Sequence, residues 1–66
     1  MTLTVNGQQW EMPPGATLAD VLSRLAVPSH GVAVALDGVV APRASWPDTI
    51  LRDGASVEVL TAVQGG

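Results

Sequence analysis

A single apolar stripe of helical period limits this chain more than any other feature. Leu18, Val21, Leu22 and Leu25 fall at i, i+3, i+4 and i+7, while Asp20, Ser23 and Arg24 lie off that line. Thr17 precedes the stripe and Asp20 follows three residues later, the spacing of a capping box with Asp in place of the stronger Glu. Asp20 near the start and Arg24 towards the end suit the helix dipole. Pro28 stops the helix, and Ser29-His30-Gly31 makes its exit. One short helix cannot bury its own stripe, so the rest of the chain must supply a face to cover it.

That face is predicted to be a sheet. Thr2 to Val5 and Gln9 to Met12 alternate with period two, with Trp10 and Met12 on one side, and Asn6-Gly7 between them is a tight-turn signal. Pro13-Pro14-Gly15 ends this hairpin. Val32 to Leu36 is apolar throughout, as in a strand covered on both faces or placed in the sheet centre. Asp37-Gly38 is a second turn, and Pro42 puts the short Val39-Val40 strand at an edge or ends it. Ala41 to Leu51 reads as an irregular crossing. After Asp53-Gly54, a last strand runs from Ser56 to Val63, with Val57, Val59, Thr61 and Val63 on one face. The helix supplies the crossover that lets the first strand pair in parallel with the last, which leaves the last strand central. The predicted fold class is α+β, a β-grasp arrangement with one helix on a mixed sheet. The expected division is a domain over residues 1–63 and a flexible C-terminal tail over residues 64–66, because two terminal glycines lose much entropy on ordering.

Composition removes several function classes. The 66 residues suffice for one domain and one core. The formal charge is −3, with Arg24, Arg43 and Arg52 scattered and lysine absent, which argues against a nucleic-acid partner. A protein partner with a basic or apolar surface is expected instead. Cysteine is absent, which excludes disulfides, thiolate metal sites and a thiol nucleophile, and the lone His30 cannot hold zinc. The start of the chain shows no secretory signal pattern, and no apolar run is long enough to cross a bilayer, so a cytoplasmic protein without membrane contact is expected. Glu11, Asp20, Asp37, Asp48, Asp53 and Glu58 fall at turns, a cap and solvent faces, with no acid–base pair among them. The expectation is therefore no catalytic residue, no metal and no bound cofactor.

With this order of elements, Val40-Ala41-Pro42-Arg43 followed by Trp46 within it and Gly65-Gly66 at its close, the chain resembles the ubiquitin-like sulfur carriers and, within them, the sulfur carrier family of thiamine biosynthesis. The likeness runs its whole length. It rests on Val5-Asn6-Gly7, on Thr17-Leu18 and on Gly31-Val32-Ala33-Val34-Ala35. Its most specific internal segment is Val40-Ala41-Pro42-Arg43 followed by Trp46. Asp53-Gly54, Val57-Glu58 and the terminal Ala62-Val63-Gln64-Gly65-Gly66 complete it. Ala44 departs from the polar residue that many relatives carry there.

The resemblance implies that the α-carboxylate of Gly66 is the working group, carried on a tail formed by Gln64 and Gly65. An adenylyltransferase of the ubiquitin-activating type would use ATP and magnesium to adenylate it. Sulfur from a sulfur-donating enzyme would then convert it to a thiocarboxylate, and thiazole synthase would take the sulfur. Glycine suits a tail that threads a narrow channel, since it has no Cβ to clash. On the last strand Leu60 and Ala62 point away from the valine face, and the resemblance implies that they dock partners. Arg43 either holds an acidic group of a partner or caps a loop carbonyl. Trp10 and Trp46 are read as core or loop-pinning residues. The free protein is expected to be a monomer. The competing readings are a carrier like the small subunit of molybdopterin synthase, a protein modifier that forms isopeptide bonds, and an interaction domain with an inert tail.

Overall fold

The computed structural model describes residues 1–28 and 30–61. Strand β1, Thr2–Val5, pairs antiparallel with β2, Gln8–Glu11, across Asn6-Gly7. Both turn residues have positive φ, 50° and 82°, as a two-residue primed turn demands. Helix α1 covers Leu18–Leu25. Strands β3, Val32–Leu36, and β4, Val39–Val40, form a second hairpin across Asp37-Gly38, with φ of 50° and 85°. A 3-10 helix, Arg43–Asp48, fills much of the following crossing, and β5 spans Ser56–Thr61.

The sheet order is β2-β1-β5-β3-β4. Central β5 pairs in parallel with β1 (Thr4 with Ser56, Val5 with Val57) and antiparallel with β3, from Val32 opposite Thr61 to Leu36 opposite Val57. This is the ubiquitin-like β-grasp that the order of elements predicts. The core lies between the helix and one sheet face. Leu3, Val5, Leu18, Val21, Val34 and Val57 are its fully buried side chains. Leu22 and Val59 are also buried, while Leu25 at the end of the stripe is half-buried against the core.

Thr17 caps α1 as its spacing predicts. Its Oγ1 accepts from the Asp20 N–H at 3.3 Å, and Asp20 Oδ2 accepts from the Thr17 N–H at 2.9 Å. The shorter Asp therefore closes the box. The helix ends before Pro28 acts directly. Ala26 takes a left-handed conformation (φ 57°, ψ 39°) and donates its N–H to Ser23 O. Val27, preceding proline, is disfavoured in the α region, which obliges the turn to come by Ala26.

Three features differ from, or add to, the sequence reading. β3 lies inside the sheet but is covered on one face only: Val34 is buried and Ala33 is exposed. The crossing is more regular than its prolines suggest. Trp46 Nε1 donates to Ala41 O at 2.9 Å, and the Ser45 hydroxyl donates to Pro42 O at 2.7 Å, so Trp46 pins this loop. Leu51 at the end of the crossing is buried in the core. Arg24 does more than meet the dipole. Its Nη1 donates to Glu11 O at 3.1 Å, and its guanidinium lies 5.0 Å from the centre of the Trp10 ring, tying helix to hairpin.

Thr17→Ala removes one side of the capping box. It should destabilise the domain by about 1 kcal/mol, lowering the melting temperature by roughly 4–8 °C. A thermal melt followed by circular dichroism checks this, and an unchanged midpoint would show that the box contributes nothing.

Candidate functional site

The helix covers one face of the sheet, and the pleat divides β5 between the two. Val57 and Val59 point into the core, whereas Glu58 and Leu60 point to the open face. Leu60 is 71% exposed, as its register on the last strand predicts. Its neighbours on the open face follow from the pairing. Ala33 stands opposite Leu60, Ala35 opposite Glu58, and Val40 opposite Ala35 on the edge strand. Val40 is 74% exposed. These residues, with Asn6, line a shallow groove whose walls are mostly apolar. Small side chains on β3 leave the groove open between Leu60 and Val40.

A different chemistry occupies the other half of the same face. Thr2, Thr4, Gln9 and Glu11 lie there on β1 and β2, and the Thr2 hydroxyl donates to Glu11 Oε2 at 2.6 Å. This apolar patch thus lies on the β5–β3–β4 side of the face. A second shallow depression, lined by Gly31, Val32, Ala33, Leu60 and Thr61, continues it to the last described residues.

Of the residues singled out in the sequence, Leu60 takes its place in this patch. Ala62, Gln64, Gly65 and Gly66 lie outside the described residues. Arg43 is exposed at the start of the 3-10 helix and is not one of the groove-lining residues. The neighbouring loop carbonyls of Ala41, Pro42 and Ser45 accept from the side chains of Trp46, Ser45 and Thr49. Ala33, Ala35, Val40, Glu58 and Asn6 were not anticipated. The signal for the first three is an apolar strand that alternates large and small residues beside a second apolar strand at an edge. His30 is an exposed loop residue. Among the described residues no His, Asp or Glu cluster is placed to hold a metal ion. No helix among them is long and apolar enough to cross a membrane.

Residues 3–66 match the ThiS family. The chain belongs to that family. A sulfur carrier protein ThiS from Thermus thermophilus is 44% identical over 52 residues, covering 79% of this chain and 81% of that protein. A thiazole synthase from Paramagnetospirillum magneticum is 29% identical over 66 residues; the match takes in all of this chain but only 20% of that protein. The crystal structure of a thiamine biosynthesis protein, ThiS, from Geobacter metallireducens superposes with a TM-score of 0.81 at 35% identity, with full coverage of both chains. The family match runs through Gly65-Gly66, the residues at which transfer chemistry is expected.

The two registers of β5 should behave oppositely on substitution. Leu60→Asp keeps its charge in water and should alter stability by no more than about 0.5 kcal/mol. Val57→Asp buries an unpaired carboxylate and should leave the chain unfolded at room temperature. Urea titrations of the two variants test this; a large loss for Leu60→Asp would mean that Leu60 is a core residue.

Proposed function

We propose that this sulfur carrier of thiamine biosynthesis takes its sulfur on the α-carboxylate of Gly66 and contributes no catalytic group of its own. The family match through Gly65-Gly66, on a domain whose apolar patch includes Leu60 of the last strand, supports this reading. An ionised carboxylate is a poor electrophile, so it has to be activated. In the proposed sequence a carboxylate oxygen attacks the α-phosphorus of ATP on an adenylyltransferase and pyrophosphate leaves. The terminal sulfur of a persulfide, furnished by a sulfur-donating enzyme, attacks the acyl carbon and expels AMP. A thiol then cleaves the resulting S–S bond and is oxidised to a disulfide, which frees the thiocarboxylate. ATP and magnesium belong to the activating enzyme; this chain has no phosphate-binding glycine loop.

Thiazole synthase is the proposed acceptor. The Paramagnetospirillum protein of that name contains a region like the whole of this chain, which favours a physical association of the two functions. Leu60 and Ala62 are the proposed docking residues, with Arg43 as an outlying contact to an acidic group. Glu58 beside the groove and the overall charge of −3 suit an apolar partner surface with a basic rim. The free chain is proposed to be a monomer in the cytoplasm, where ATP is at hand.

Gly65→Val introduces a branched side chain where the tail must thread a channel. It should leave stability within about 0.5 kcal/mol of the wild type and abolish activation. Intact-mass spectrometry after incubation with ATP, a sulfur source and the cognate adenylyltransferase reads the outcome. The wild type should gain the mass difference between sulfur and oxygen in its C-terminal peptide, and the variant should not. A wild-type chain that never gains it with a demonstrably active enzyme would overturn the sulfur-carrier mechanism. Leu60→Asp should weaken binding to the adenylyltransferase in a calorimetric titration, since the charge would have to shed water at the contact. Unchanged affinity would remove Leu60 from the interface.

A further inference from the structure

β1 leaves the sheet before β5 has finished. Its last parallel partner pair is Val5 with Val57, and Asn6 then turns the chain into the hairpin at φ 50°, while β5 continues to Thr61. Up to that point the ladder is regular: the Thr4 N–H donates to Ala55 O and the Asn6 N–H to Val57 O, both at 2.9 Å. The next residue of β5 facing this side is Val59, and the backbone that would have met it has turned away.

The Asn6 side chain replaces that backbone. Its Oδ1 accepts from the Val59 N–H at 2.7 Å, and its Nδ2 donates to Val59 O at 3.3 Å. A carboxamide carries the same donor and acceptor as a peptide group, so it can continue the ladder by one step. The other primed turn shows why an amide is needed. Asp37 also grips β5, but there the side chain only accepts, from the Ser56 N–H at 2.9 Å, and the Asp37 backbone N–H donates to Ser56 O at 2.8 Å. At Asn6 both halves fall to the side chain, and a carboxylate could supply only one.

We propose that Asn6 is a positioning residue for the transfer reaction: its side-chain amide holds β5 after β1 has departed, and so sets the angle between the docking patch and the outgoing tail. This rests on the sulfur-carrier reading. At this level β5 is held on its other side by β3, through Ala33 opposite Leu60 and Val32 opposite Thr61. Without the amide clamp the last residues of the strand would be tethered along one edge and free to pivot. Five residues follow Thr61, and drawn out in a partner's channel they reach roughly 16 Å. A small tilt at Val59 is therefore magnified at the carboxylate, while Leu60 can still find its contact. Asn6 also lines the groove beside Leu60, so the same side chain touches the patch and the strand that leads to the tail.

The test measures pyrophosphate release from ATP by the cognate adenylyltransferase as a function of carrier concentration. Asn6→Gly keeps the left-handed turn and removes the amide. Its kcat should fall about ten- to a hundredfold, as expected of a misplaced reacting group, with KM for the carrier within about twofold of wild type. Leu60→Asp should show the reverse split. Asn6→Asp keeps the acceptor and loses the donor, so its kcat should lie between those of wild type and Asn6→Gly. Hydrogen exchange at the Val59 amide should accelerate in Asn6→Gly without a matching rise at Leu3 and Val5. A folded Asn6→Gly chain with wild-type kcat, a loss confined to KM, or unchanged Val59 exchange would each overturn the proposal. If Asn6→Gly does not fold, Asn6→Asp decides, and a wild-type kcat there overturns it. A wild-type carrier that elicits no pyrophosphate release from an active enzyme defeats the sulfur-carrier reading instead, and the Val59 exchange result still judges the clamp.

Discussion

The parallel pairing of Thr4 and Val5 with Ser56 and Val57 is the interaction on which the domain depends. A parallel pair cannot be closed by a hairpin, so the chain between the two strands has to cross over, and α1 provides the crossing. Because β5 then lies between β1 and β3, it joins two hairpins that make no direct contact through their own strands. On the helix side β1, β5 and β3 contribute Leu3, Val5, Val57, Val59 and Val34, all buried, with Val32 and Leu36 half-buried against the same core. Loss of the parallel pair would separate the β1–β2 hairpin from the rest and open the core along its middle.

Such short strands leave few ladder bonds, and turn residues make up part of the deficit. Asp53 Oδ1 accepts from the Thr2 N–H at 2.8 Å, and the Gly54 N–H donates to Thr2 O at 2.7 Å, which ties the start of β1 to the turn before β5. Asp37 and Asn6 grip β5 at Ser56 and Val59. Three turns that reverse the chain thus also brace a neighbouring strand. In a domain of this size, which buries only about 60% of the surface its unfolded chain exposes, such braces matter more than in a larger one. Among the described residues no buried side-chain polar atom lacks a partner.

How much of this was legible follows from the range of each interaction. The Thr17 box and the stripe of α1 are local, and the spacing of Thr17, Asp20, Leu18, Val21 and Leu22 suffices to predict them. The central place of β5 followed from one topological argument, and the exposure of Leu60 from the period of two along its strand. The roles of Asn6, Asp37 and Asp53 as braces were not legible. Each looks like an ordinary turn residue in sequence, and its partner lies 53, 19 or 51 positions away. Arg24 hid its contact with Trp10 and Glu11 for the same reason. Val32 to Leu36 left two placements open because a uniformly apolar run does not say which face is covered. The alternation of Val34 with Ala33 and Ala35 becomes informative only when paired with Leu60 and Val40.

The division of the sheet into two faces explains how a chain with so few functional groups can serve in transfer chemistry. The helix-covered face takes up stiff, branched side chains, among them the fully buried Leu3, Val5, Val34 and Val57. What remains for recognition is the open face, and it is itself graded from the Thr2–Glu11 side, rich in hydrogen-bonding groups, to the apolar end around Leu60 and Val40. A partner that covers the apolar end buries exposed Leu60 and Val40 together. In the proposed mechanism recognition and delivery are functions of one strand: outward Leu60 would meet the partner, inward Val57 and Val59 anchor the strand in the core, and the residues that follow would carry the reacting carboxylate. This strand is held on both edges, by β3 along one and by β1 with the Asn6 amide along the other, and that is what the proposed transfer asks of the fold.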